Sequence, residues 1–106
     1  MSLLYEGRSV QAEKMQREVL AVQRRVLGPE HMDTAASTYN LALVEVHLRQ
    51  TSEALRLLRE AVEHGLSPGD CLGVDKEPDF KSLHGDPRFQ EIVAEAKQHA
   101  AAAQQK

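Results

Sequence analysis

In the stretch GRSVQAEKMQREVLAVQRRVLG, residues 7–28, the first part, residues 7–23, returns without gaps as RQTSEALRLLREAVEHG, residues 49–65. The shift, 49 − 7 = 42 residues, lays Ala12 on Ala54, Met15 on Leu57, Val19 on Ala61 and Leu20 on Val62. A fixed period in this range is the mark of stacked helical units, because one helical pair cannot bury its apolar face alone. The chain is therefore read as all-α, a piece of an α-solenoid built from antiparallel helix pairs. Solenoids mostly present surfaces to other molecules, so the repeat also sets the functional expectation.

Working outward, the spacing predicts a first helix over about 10–27, with Ser9 as N-cap and Gly28 as the left-handed residue that ends it. Ala12, Met15, Val19, Val22 and Val26 share one apolar stripe, and Glu13 and Arg17 form an i,i+4 pair on the polar side. Pro29 blocks any continuation. Asp33 is expected to cap a second helix over about 34–49, whose apolar residues spread round most of its circumference, as in a helix packed between neighbours. Thr51 is expected to cap a third helix, which buries Leu55, Leu58 and Val62 and stops at Gly65. Loops this short make neighbouring helices antiparallel.

Beyond Leu66 the composition changes. Ser67-Pro68 reads as N-cap and first residue of a short helix. Glu77-Pro78-Asp79-Phe80 and Asp86-Pro87-Arg88-Phe89 repeat one acid-Pro-x-Phe unit, in which the acid caps, proline opens the turn and phenylalanine enters the core. The second unit opens a final helix to about Gln104, with Phe89, Ile92, Val93 and Ala96 on one face and residues 100–103 frayed. The expected organisation is a repeat region over 1–64 (a partial first repeat, then a complete one over 33–64) and a helical cap over 65–106.

Composition bounds what the chain can do. Its 106 residues allow one domain, and 27% charged with 42% hydrophobic residues is ordinary for a globular chain. Aromatics at 4% and abundant Ala, Leu, Gln, Glu and Arg favour helix over sheet. A formal charge of −3 argues against nucleic acid, which needs a concentrated basic surface. No run approaches the roughly 18 apolar residues of a membrane span. A lone cysteine, Cys71, cannot form an internal disulfide, so a reducing compartment, the cytoplasm, fits best. The abrupt start suggests that Met1 to Leu3 are an added leader on a truncated array.

These residues resemble tetratricopeptide repeats, of the 42-residue variety found in kinesin light chains. Leu41-Ala42 matches the small-residue signature of that family's helix A, and Ala54 and Ala61 match the early and late alanines of helix B. Gly7 and Ala12 match the turn glycine and early alanine of the partial repeat. VLGPEHMDTA looks like the inter-repeat loop, with Met32 where a proline is usual. Glu45 stands where an aromatic is common, and Arg49 and Thr51 replace the usual turn glycine and aromatic. The tail, Asp-Phe-x-x-Leu followed by Asp-Pro-Arg-Phe, resembles segments that close such arrays.

The resemblance implies a protein or peptide ligand along the helix A face, here Ala36, Tyr39, Asn40, Leu43, Val46 and His47. Asn40 matches an asparagine that bonds the backbone of extended peptides, a task suited to an amide that both donates and accepts. Tyr39 serves packing or binding, and His47 could meet an acidic ligand.

Catalytic chemistry finds no footing in the sequence. No two of the five histidines sit at i,i+4 on a helix, no Cys/His cluster has zinc-finger spacing, and no glycine-rich loop cradles phosphate. Cys71 lies near a helix start, where a dipole can lower a thiol pKa, but it lacks a base in sequence. The expectation is a non-enzymatic interaction module without metal or cofactor, binding neither nucleic acid nor membrane. The alternative is an array-closing or self-association segment. With the preceding helix removed, Met15, Val19 and Val22 would be exposed, so a homodimer through the first helix is expected.

Overall fold

The computed structural model describes residues 2–28 and 30–104, with side chains for 10–28 and 30–102. All regular structure among them is helical: α1 (Ser2–Val26), α2 (Met32–His47), α3 (Thr51–Glu63), α4 (Pro68–Gly73), two 3-10 turns (Val74–Lys76 and Pro78–Leu83) and α5 (Pro87–Gln104). Pro29 lies outside the described residues.

The helices stack in chain order. α2 packs between α1 and α3, α5 lies against α3 and α4, and the second 3-10 turn folds back onto α2. The slab measures 46 × 36 × 18 Å, its short axis under two helix diameters. Small residues allow the close crossings: Ala42, Ala61 and Ala96 are each fully buried. Leu41, Leu57, Leu58 and Val62 fill the α2–α3 layer, and Val74, Phe80, Phe89 and Ile92 fill the layer beneath α5.

Helix ends follow capping chemistry, with three shifts from the sequence expectation. α1 begins at Ser2, so Gly7 and Ser9 are interior and Ser9 is not a cap. A single interior glycine costs about 1 kcal/mol relative to alanine, too little to stop a helix continued on both sides. α2 is capped by His31, whose Nδ1 accepts from the Asp33 N–H at 3.0 Å, while Asp33 sits in the first turn. α3 has Gln50 as N-cap with no side-chain bond, and Thr51 is already helical. The cause is the turn before it. Arg49 adopts φ 61°, and the N–H groups of Arg49 and Gln50 return to the carbonyls of Val46 and Glu45 at 3.0 and 2.9 Å. That is a Schellman closure with arginine where glycine is favoured. Gly28 (φ 92°) and Gly65 (φ 122°) take the expected left-handed positions.

Both acid-Pro-x-Phe units act as the sequence suggests. Glu77 accepts from the Asp79 N–H at 3.4 Å and Asp86 from the Arg88 N–H at 2.8 Å. Phe80 and Phe89 are buried and packed together, ring centroids 5.8 Å apart. Ser67 caps α4 through the Asp70 N–H. One expectation fails at the far end: Ala100 is helical and buried, not frayed, because α5 still covers the core there.

Candidate functional site

The helix A face lies on α2, where Ala36, Tyr39, Asn40, Leu43, Val46 and His47 recur at helical spacing. Asn40 is exposed, and the other five are half-buried. The C-terminal segment explains why. Its second 3-10 turn brings Phe80 edge-on to Tyr39, ring centroids 5.7 Å apart with planes at 87°, an arrangement favoured by the ring quadrupoles. It also sets Asp79 Oδ1 3.1 Å from His47 Nε2. Tyr39 and His47 thus reach the expected face and hold the cap segment to it, while Ala36, Asn40 and Leu43 complete the row.

The electrostatics of this face are acidic. Burial pushes the Tyr39 hydroxyl up to about 12, and the carboxylates of Glu77, Asp70 and Asp79 add to the shift. The first residues of α4 and the turn after it therefore place negative charge beside the Tyr39–Asn40 turn. Toward the end of α2 the charge is mixed, in a shallow hollow lined by Val46, His47, Arg49, Asp79 and Lys81.

Beyond the expected Glu13–Arg17 pair, which forms, a second polar feature was not anticipated. Glu45, on the side of α2 facing α1, is only 1% exposed. Arg17 of α1 reaches it at 3.1 Å and also approaches Glu13 at 3.5 Å and Glu53 at 3.7 Å. Arg56 continues the array by pairing with Glu53 at 2.7 Å and Glu60 at 3.4 Å, and Arg24 closes on Glu60. Burial above all, then the hydrogen-bonded, like-charged Glu13, pushes the Glu45 carboxyl up to about 7; Arg17 acts in the opposite direction. Glu53, held by Arg56, is shifted down instead. The network ties α1, α2 and α3 together and lies on the other side of α2 from the Tyr39–Phe80 contact.

Cys71 is buried, with Sγ 3.6 Å from the Leu66 carbonyl. Burial, helped by Asp70, raises its thiol pKa, the reverse of what a helix start would do. Among the described residues no three His, Cys, Asp or Glu side chains converge as metal ligands, and no helix is long and apolar enough to cross a membrane.

The tetratricopeptide-repeat family profile matches residues 1–65. The chain belongs to the tetratricopeptide-repeat family. Within the matched residues α2 packs between α1 and α3. No curated protein and no solved structure matches the chain. Tetratricopeptide repeats are protein-interaction modules, which assigns this chain the same general role. Two things escaped sequence reasoning. The return of the second 3-10 turn onto α2 joins residues 39 and 80, and nothing local to either signals the pairing. Glu45 did carry a signal, since it occupies a position where the family prefers an aromatic, and a buried polar residue there needs partners that only the fold supplies.

Proposed function

We propose that the chain is a non-catalytic protein-interaction module whose α2 face, centred on Asn40, takes an extended peptide or a partner helix. The supporting observation is the contrast along α2. Asn40 projects to solvent, while its neighbour Tyr39 is fixed beneath it by Phe80. A free amide on a rigid helix can pair with one peptide unit without paying to order itself. Ala36 and Leu43 supply apolar contact on either side, and the His47–Asp79 pair closes the C-terminal end of the row. The carboxylates of Asp70, Glu77 and Asp79 favour a ligand carrying lysine or arginine near that end. On this reading residues 65–106 serve as the cap of the array and as one wall of its last groove.

The test is a peptide array of basic, neutral and acidic sequences, followed by calorimetric titration of the peptides retained. Basic peptides should bind best, and Asn40→Ala should weaken them about tenfold, the equivalent of one well-placed hydrogen bond. Unchanged affinity in the variant, or preference for acidic peptides, would overturn the assignment.

A further inference from the structure

α1 has two unlike sides. Toward α2 and α3 it turns Leu20, 3% exposed, together with the pairing cations Arg17 and Arg24. On the opposite side Met15, Val19, Val22 and Val26 are 60, 47, 48 and 70% exposed. Their spacing of four, three and four residues is that of a coiled-coil seam. In the 42-residue register Met15 and Val19 correspond to Leu57 and Ala61, which are 1% and 0% exposed. The Met15–Val19 half of the stripe therefore occupies positions that this architecture covers when a neighbour is present.

The residues flanking the stripe indicate what fits there. Glu18 and Arg25, both exposed, stand seven residues apart on the same edge, and neither takes part in the ion pairs found among the described residues. Within one helix they are about 10 Å apart along the axis and cannot meet. Two copies of α1 laid antiparallel, with Val19 opposite Val22 and Met15 opposite Val26, bring Glu18 of each against Arg25 of the other. On the second edge the same two-fold sets Gln16 against Gln23. A parallel pairing would face Glu18 with Gln23 and form neither ion pair. The surface is self-complementary in the antiparallel sense, as an isologous interface must be.

We propose that α1 docks antiparallel on α1 of a second copy of this chain, through the Met15–Val26 stripe and two reciprocal Glu18–Arg25 pairs. The interface stands on α1 alone, so its failure leaves the α2 groove untouched, and the reverse holds equally. The seam is about 17 Å long, so the dimer is small, reversible and concentration-dependent.

Sedimentation equilibrium of the whole chain from low to high micromolar concentration provides the test. The wild type should form dimers across this range. Glu18→Arg and Arg25→Glu should each weaken dimerisation about tenfold, since one substitution reverses both pairs by symmetry. An equimolar mixture of the two variants should recover wild-type association as a heterodimer. Val22→Glu should give a monomer that melts where the wild type melts at concentrations too low for it to dimerise, its side chain being outside the core. A wild type that stays monomeric throughout would overturn the proposal, as would a mixture that associates no better than either variant alone.

Discussion

Replacing Glu45 by glutamine isolates the energetic consequence of burying a carboxyl between α1 and α2. Glu45 ionises at about 7 in the folded chain, against an ordinary value of 4.5. A raised folded pKa means that the neutral form is preferred in the native state. Its contribution is therefore fully present below about pH 4.5 and is lost as pH rises through about 7. The shift of about 2.5 pKa units corresponds to about 3 kcal/mol at saturation. Between about pH 5 and about pH 8 the linkage relation gives a loss near 2.5 kcal/mol. Glutamine keeps the shape of the protonated acid and cannot titrate. Glu53 shifts in the opposite direction but is common to both proteins, so subtracting the variant's pH profile from the wild type's leaves the contribution of Glu45 together with its interaction with Glu13. Urea unfolding followed by circular dichroism at the two pH values is the assay. The two proteins should be nearly equal at the lower pH, with the variant more stable by about 2 kcal/mol at the higher one. Parallel profiles would refute the reasoning, because they would mean that Arg17 fully compensates the buried charge.

Three further substitutions probe the fold. Arg49→Gly should stabilise the chain by about 1 kcal/mol, since arginine holds a left-handed φ of 61° there; chemical denaturation would detect it, and a loss would show that the arginine side chain matters more than the turn. Gly65→Ala should destabilise by at least about 1 kcal/mol, because the position has φ 122° and an added Cβ would lie 2.8 Å from the Glu30 carbonyl oxygen; the same assay checks it. Ala61→Leu should cost about 1–3 kcal/mol by overpacking the α2–α3 crossing, where Ala61 is 0% exposed; a neutral effect would contradict the close approach of those helices.

The helical architecture was legible because it is written in local terms. The 42-residue register, the glycines at 28 and 65, and the two acid-Pro-x-Phe units each specify their own segment, and the structure keeps all of them. The caps at His31 and Gln50 were missed because a cap depends on which backbone conformation the preceding segment leaves available, and residue type alone does not set it; the start at Ser2 was missed because Gly7 costs a continued helix too little to end it. The row Ala36–His47 was singled out by the family resemblance, and its residues recur along α2 at helical spacing. That Phe80 and Asp79 would close over half of it was not, because contacts between residues 39 and 80 or 47 and 79 depend on how the cap returns. The Glu45 network falls between these cases. An acid where an aromatic is usual drew attention to the position, but its partners on α1 and α3 appear only once three helices are packed.

On the proposed reading, the α2 face is the surface this tetratricopeptide chain offers to a partner. Amide chemical-shift mapping of the isotopically labelled chain, titrated with the tightest basic peptide from the array, tests it most directly. The largest shifts should cluster at Ala36, Asn40, Leu43 and the Glu77–Asp79 wall. Shifts confined to α1 or to the exposed side of α5, with those residues unmoved, would contradict it.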